Sequence, residues 1–127
     1  MSTRSFICTK IGDFYKGIYV HYDGYIRGGV GQQLLEYYQN YSKIKKLIKR
    51  GDRPSLENDP NDGKVYTKSD DLEFTNLSDL AKYARDCGCE YIYFFDTNTT
   101  AWKVKEYDSR VFANLEYLLM TDGVVIC

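Results

Sequence analysis

The chain has 127 residues, 43% of them apolar and 28% charged, which fits a single domain that buries its core without disulfides or a metal. The formal net charge of -1 argues against the broad basic surface with which proteins neutralise nucleic-acid phosphates. No stretch reaches the ~20 apolar residues of a membrane span, and the start lacks the apolar segment of a signal peptide. We therefore expect one domain, residues 1–127, in the cytosol, with its cysteines reduced.

Tyrosine is the one residue type in clear excess. The chain contains 13 tyrosines, and aromatic residues make up 16% of it, which is more than a core alone requires. A ring with a polar tip serves a half-buried sheet, a protein interface or a surface that stacks on a nucleobase. The composition leaves these three roles open.

Two segments near the N-terminus alternate apolar and polar residues with the period of a strand. They cover residues 5–11 and 15–23, and the glycine–aspartate turn signal between them predicts a hairpin. On the second strand the alternation places Tyr22 with the core-facing side chains and His21 and Asp23 on the opposite face.

Two helices are predicted after this hairpin. The first begins near Val30, behind a group of glycines that predicts a turn with close backbone approach, because the lysine and hydroxyl of a phosphate-binding P-loop are missing. The second is capped by Ser42, ends at Gly51 and carries a basic run over residues 43–50. Such a run is most simply the solvated face of an amphipathic helix, and an anionic-ligand site is the alternative.

The C-terminal half adds a second hairpin between two further helices. Residues 57–63 are predicted to form an exposed loop, followed by short edge strands at 64–67 and 72–74 and by a helix capped by Asn76 or Ser78. The second hairpin then comprises strands at 89–96 and 101–107, and a helix capped by Ser109 and a terminal strand at 124–127 complete the chain. The sequence thus predicts the α+β class, with an antiparallel sheet built from N-terminal and C-terminal hairpins and three to four helices packed mainly on one side.

Polar and aromatic side chains gather around the end of the second predicted strand. His21 is the only histidine, and imidazole is the side chain that titrates near neutrality. Because no nucleophile and orienting carboxylate complete a triad, we interpret His21 as a structural or ligand-contacting residue and expect no catalytic residues. An arginine beside tyrosines suits a phosphate-bearing ligand or a hot spot for a protein partner. The predicted binding residues are Arg4, Tyr19, His21, Asp23, Tyr25 and Arg27.

The cysteines do not predict a metal site. Cys87 and Cys89 are closer together than the half-site of a zinc or redox motif, and no second cysteine or histidine pair completes four ligands. We therefore expect neither a metal nor a cofactor.

Several stretches of the chain, taken together, resemble a known family. They are MSTRS at the start, GIYVHYDGY with the following GVG and LLEYY, KIKKLIKRGDRPSL, and CEYIYFFD with Trp102 in the next strand. In this order they resemble a family of small uncharacterised bacteriophage and prophage proteins, and the H-x-D-G-Y core is the most specific piece. The chain departs from the family pattern at Val20 and Tyr22. The resemblance implies a phage or mobile-element origin and action in the bacterial host cytoplasm, and it assigns no catalytic residue.

Small accessory proteins of phages commonly act by stoichiometric binding. The leading hypothesis is therefore a non-enzymatic counter-defence protein that binds and inhibits a bacterial immune component, as anti-CRISPR proteins do. The alternative is a sponge that sequesters a nucleotide second messenger, using aromatic stacking with Arg4 or Arg27 on the phosphate. A third class is a nucleotide-degrading enzyme with His21 as general acid or base. The sequence leaves a homo-oligomer open.

Overall fold

The computed structural model describes residues 2–66 and 72–121. In chain order its elements are β1 (Ser5–Ile11), β2 (Phe14–Val20), α1 (Val30–Tyr37), α2 (Tyr41–Arg50), α3 (Leu77–Asp86), β3 (Tyr91–Asp96), β4 (Ala101–Glu106), β5 (Ala113–Asn114) and α4 (Leu115–Thr121). None of the helices within these two ranges is long and apolar enough to cross a membrane.

The strands form one sheet in the order β2-β1-β3-β4-β5. β1 pairs antiparallel with β2, and β3 with β4, so both predicted hairpins and the α+β class are confirmed. The hairpins join through β1 and β3, which run parallel, so the sheet is mixed and the prediction of an antiparallel sheet is wrong. This pairing follows from the chain path, because three helices lie between the hairpins and return the chain to the end of the sheet where β1 begins.

Both faces of the sheet pack against helices. On one face α1, α2 and α4 cover a buried cluster, and on the other α3 covers a smaller one. The first face contributes Ile7, Ile18, Tyr93, Phe95 and Trp102, and the second contributes Phe6, Cys8 and Ile92. Successive side chains point to opposite faces, so the central strands β1 and β3 are buried on both sides.

Asparagine side chains cap two of the helices. The Asn40 side chain accepts from the backbone N–H of Lys43 (3.2 Å), and the Asn76 side chain accepts from that of Asp79 (2.8 Å). The prediction of a cap at Asn76 is confirmed. The prediction that Ser42 caps α2 is wrong, because the helix already begins at Tyr41 behind Asn40.

The predicted second strand is too long at its C-terminal end. β2 ends at Val20, and Asp23 adopts a φ of 60°, which lies outside strand geometry. Tyr22 is therefore 48% exposed, and the prediction that it faces the core is wrong.

The C-terminal region differs from its prediction in the start of the last helix. The Ser109 hydroxyl accepts from the backbone N–H of Val111 (3.3 Å) in a local turn, and α4 begins only at Leu115. The side chain of Asn114 accepts from the backbone N–H of Tyr117 (2.8 Å) at that point. The helix prediction failed because a serine that closes a turn and one that caps a helix look alike in sequence.

The predicted edge strands are mostly absent. Residues 64–66 form no strand, and at residue 74 the structure has only an isolated bridge, from Phe74 to Tyr15. Residue 67 and the predicted terminal strand at 124–127 lie outside the described residues.

The segment that follows α2 runs alongside the end of β2. The backbone N–H of Arg53 donates to the carbonyl of Tyr19 (2.9 Å), and the N–H of His21 donates to the carbonyl of Arg53 (3.2 Å). The N–H of Tyr22 then donates to the carbonyl of Pro54 (2.8 Å). This pairing extends the sheet edge and places the end of α2 beside the HYDGY stretch.

Candidate functional site

The connection from β2 to α1, residues 21–29, is irregular but held by backbone hydrogen bonds; we call it the β2–α1 loop. The Gly24 N–H donates to the carbonyl of Thr3 (2.9 Å), and the Gly24 carbonyl accepts from the buried phenol of Tyr93 (2.6 Å). Three N–H groups of the first turn of α1 donate back to loop carbonyls over 2.8–3.1 Å. These bonds fix the loop to the N-terminal segment, to β3 and to α1.

Close backbone approach at two glycines makes this arrangement possible. A Cβ at Gly24 would lie 2.8 Å from the carbonyl oxygen of Thr3, and a Cβ at Gly29 would lie 2.7 Å from Cδ2 of Tyr25. Neither distance leaves room for a side chain unless the backbone shifts. The prediction that the glycines before α1 serve a close backbone approach is confirmed for Gly29, whereas Gly28 has open space around it and a φ of 76°.

Tyr19 and His21 form a hydrogen-bonded pair at the end of β2. The phenol oxygen of Tyr19 lies 2.7 Å from Nδ1 of His21. Burial raises the pKa of Tyr19. Because a protonated phenol can both donate and accept, the hydrogen bond joins the two side chains in either tautomer of the imidazole.

Arg4 adds positive charge beside this pair. Its guanidinium packs on the turn between α3 and β3, where a Cβ at Gly88 would lie 2.7 Å from Nη1. Burial raises the pKa of the Tyr19 phenol, and it raises the pKa of the Cys89 thiol to about 12; the charge of Arg4 acts against both shifts. Arg4 therefore lies within electrostatic reach of Tyr19.

The outer part of the loop presents aromatic rings and a carboxylate. Tyr25 donates through its hydroxyl to Oδ1 of Asp23 (3.2 Å), and this bond raises the pKa of Tyr25. The Tyr22 ring packs edge-on against the imidazole of His21, with 4.6 Å between the ring centroids. Tyr22 is 48% exposed and Tyr25 is 44% exposed. Two rings thus face outward on a loop whose backbone is fixed.

Arg27 takes part in a different contact. Its Nη2 donates to the carbonyl of Leu119 in α4 (2.5 Å). The structure therefore gathers five of the six predicted residues around the end of β2 and its loop, whereas Arg27 joins that loop to α4.

Sequence reasoning missed two members of this site, Asp52 and Tyr22. Asp52 accepts through Oδ1 from the backbone N–H of Tyr19 (2.9 Å) and so fastens the segment after α2 to β2. The only signal for it was the GDRPSL stretch, which belongs to the same resemblance as HYDGY. The exposure of Tyr22 had no signal, because alternation alone does not mark where a strand ends.

The assembled groups suit recognition by hydrogen bonds and ring contacts. They are the imidazole of His21, the Asp23 carboxylate, the guanidinium of Arg4 and two exposed rings. Within the described ranges, no group of three or more histidine, cysteine, aspartate or glutamate side chains could hold a metal ion. No family model matches the chain, and no curated protein or solved structure matches it either.

Proposed function

We propose that this chain is a non-enzymatic counter-defence protein of a phage or mobile element, which binds and inhibits a bacterial immune component in the host cytoplasm, as anti-CRISPR proteins do. The observation that carries the proposal is the β2–α1 loop, whose fixed backbone exposes Tyr22 and Tyr25 beside a carboxylate and an imidazole. The origin and the place of action rest on the resemblance to phage proteins.

A fixed loop with outward tyrosines has the physical properties of a protein-binding hot spot. Tyrosine buries a large ring on binding while ordering only two side-chain torsions, and it is enriched among residues that dominate interface energies. Because backbone bonds already order the loop, binding costs little further conformational entropy. The loop therefore favours stoichiometric binding to a shaped protein surface.

The bonding of His21 also suits recognition. Nδ1 lies 2.7 Å from the phenol oxygen of Tyr19, and this hydrogen bond orients the imidazole ring. The other ring nitrogen, Nε2, donates to or accepts from a partner group according to the tautomer.

The test is a pull-down of the tagged full chain from infected host cells, followed by binding measurements with the captured immune component. We expect replacement of both Tyr22 and Tyr25 by alanine to weaken binding by about a hundredfold or more, since each hot-spot truncation costs at least about 2 kcal/mol. Tyr107→Ala is the matched control, because Tyr107 is 54% exposed and lies outside the loop. A double variant that binds and inhibits as well as the original chain would refute the proposal.

Sequestration of a nucleotide second messenger is the second candidate. It is favoured by the position of Arg4 near Tyr19, with the exposed Tyr22 ring next along the loop. Such a sponge would bind a cyclic nucleotide and return it intact when heat-denatured. Return of an altered nucleotide would instead indicate the third candidate, a degrading enzyme, and that activity should then disappear in a folded His21→Ala variant.

A further inference from the structure

Arg53 is buried, and no carboxylate among the described residues forms an ion pair with it. Its side chain is 0% exposed, and Nη2 makes a long hydrogen bond to the carbonyl of Pro60 (3.4 Å). Nε and Nη1 have no hydrogen-bond partner in the part of the chain that the structure describes. Burial lowers the pKa of Arg53, as expected for a cation removed from water. An unpaired buried charge is strongly unfavourable, so its presence calls for a role other than stability.

Two adjoining cavities lie between α2 and residues 59–65; we call them the α2 groove. Their volumes are about 350 and 500 Å³, and they share Lys46 and Asn61 as lining residues. Pro60, which accepts the hydrogen bond of Arg53, lines the smaller cavity. The combined space is too large for a single inorganic ion and matches the size of small-molecule sites.

The larger cavity is bordered by Lys46, Lys49 and Arg50, the cationic side chains on one side of α2. None of the three forms an ion pair with a carboxylate within residues 2–66 and 72–121. Their charges therefore remain available to a ligand. Burial is the main cause that lowers the pKa of Arg53, and the charge of Arg50 lowers it further, whereas Tyr38 and Glu57 act in the opposite direction. An anion in the groove would offset the repulsion between Arg50 and Arg53.

The smaller cavity has a different character. The polar side chains that line it are those of Asn40, Ser42, Lys43, Lys46, Asp59 and Asn61, so it combines hydrogen-bonding groups and one carboxylate with two cations. The described residues that line the larger cavity include three cations and no carboxylate. A phosphate is therefore favoured in the larger cavity, whereas the smaller one offers donors and acceptors to a sugar or a ring.

We propose that the α2 groove binds a small phosphate-bearing molecule of the nucleotide class. The phosphates lie on Lys46, Lys49 and Arg50, the nucleoside part lies in the smaller cavity, and Arg53 supplies buried positive charge behind Pro60. This proposal goes beyond recognition of a protein by the β2–α1 loop and does not depend on it, because its test needs only the purified chain.

The test is calorimetric titration of the full chain with ADP and, separately, with inorganic pyrophosphate. We expect ADP to bind more tightly than pyrophosphate, and Lys46→Ala and Lys49→Ala each to weaken ADP binding about tenfold, the loss of one charge-assisted contact. Lys45→Ala is the matched control, because Lys45 lies on the same helix over the ring of Tyr41 (4.7 Å) and outside the groove; its affinity should stay within about twofold of the unsubstituted chain.

Three results would overturn the proposal. If neither ADP nor pyrophosphate binds, the groove is not a binding site. If Lys45→Ala weakens ADP binding as much as Lys46→Ala and Lys49→Ala do, the effect comes from the overall charge of the helix. If pyrophosphate binds as tightly as ADP, the groove recognises phosphate and not a nucleotide.

Arg53→Met tests the buried charge separately. Methionine fills a similar volume without a charge, so we expect the melting temperature to stay level or rise while ADP affinity falls about threefold. An unchanged affinity in this variant would overturn the role of Arg53 in the groove.

Discussion

The β2–α1 loop and the α2 groove are joined through the segment that contains Arg53, yet they leave different groups unsatisfied. In the loop the backbone is bonded at Gly24 and at the start of α1, and what remains for a partner is the outward surface of two tyrosine rings. In the groove the helix backbone is regular, and the groups left unpaired in the described part of the chain are cations, one of them buried. Fixed aromatic surface fits a shaped partner, whereas unpaired charge fits an anion.

A substitution that disorders the β2–α1 loop should have the largest effect on stability and on partner binding. Gly29→Ala places a Cβ 2.7 Å from the Tyr25 ring and 2.8 Å from its carbonyl oxygen, so we expect a loss of about 3 kcal/mol in unfolding free energy, together with loss of partner binding. The measurement is urea denaturation followed by fluorescence. Gly28→Ala is the control, since it has open space around it and only a φ of 76° to oppose a side chain; it should cost about 1 kcal/mol. Equal losses in the two variants would show that the packing around Gly29 is unimportant.

The anchor between β3 and the loop should have the next largest effect. Tyr93→Phe removes the hydroxyl that donates to the buried carbonyl of Gly24, and leaving that carbonyl unsatisfied should cost about 1–2 kcal/mol. Tyr91→Phe is the matched control on the same strand, since its ring stacks near that of Tyr93 and makes no hydroxyl bond to a described residue; we expect a change below about 0.5 kcal/mol. Hydrogen exchange at the loop amides should rise only in the Tyr93 variant, and an unaltered loop would contradict the anchor.

In the α2 groove we expect a substitution to stabilise the fold, in contrast to the loop variants. Arg53→Met removes a buried charge that has no counter-ion among the described residues, so the unfolding free energy should rise by about 1 kcal/mol. The measurement is urea denaturation without added anions. A marked loss of stability would show that the guanidinium contributes to the core, and the contrast between an ordered loop and an unsatisfied groove would then disappear.

Sequence predicted the local elements of the fold well and its long-range pairings poorly. Alternation located both hairpins and placed Tyr19 and His21 on one strand face, where they form a hydrogen bond. The parallel pairing of β1 with β3 was not predicted, because it depends on how three intervening helices return the chain. Nothing in the pattern of side chains encodes that path locally.

The residues of the candidate site were likewise predictable where they are close in sequence and unpredictable where they depend on long-range packing. Four of its predicted residues, between Tyr19 and Tyr25, are neighbours in sequence, and the structure places Arg4 beside them. The burial of Arg53 and the fastening role of Asp52 depend on the docking of one segment against a distant strand end. Composition would place any arginine at the surface, so only the packed structure could reveal an unpaired one.

The ion pair between Lys103 and Asp96 contrasts with the unpaired Arg53, and its removal should have the smallest effect on stability. Lys103 donates to Oδ2 of Asp96 over 2.7 Å, and this bond holds the pKa of Asp96 below its usual value. Because the folded chain binds that proton less readily than the unfolded chain, the pair stabilises the fold above about pH 4, and the contribution disappears as the pH falls through the lowered pKa. Asp96→Asn should therefore lose about 0.5 kcal/mol at neutral pH, and its difference from the unsubstituted chain should shrink as the pH falls below about 4. Urea denaturation at neutral pH and at about pH 3 measures this, with Asp108→Asn as an exposed control. A difference that persists unchanged in acid would mean that Asp96 acts through the shape of its turn and not through its charge.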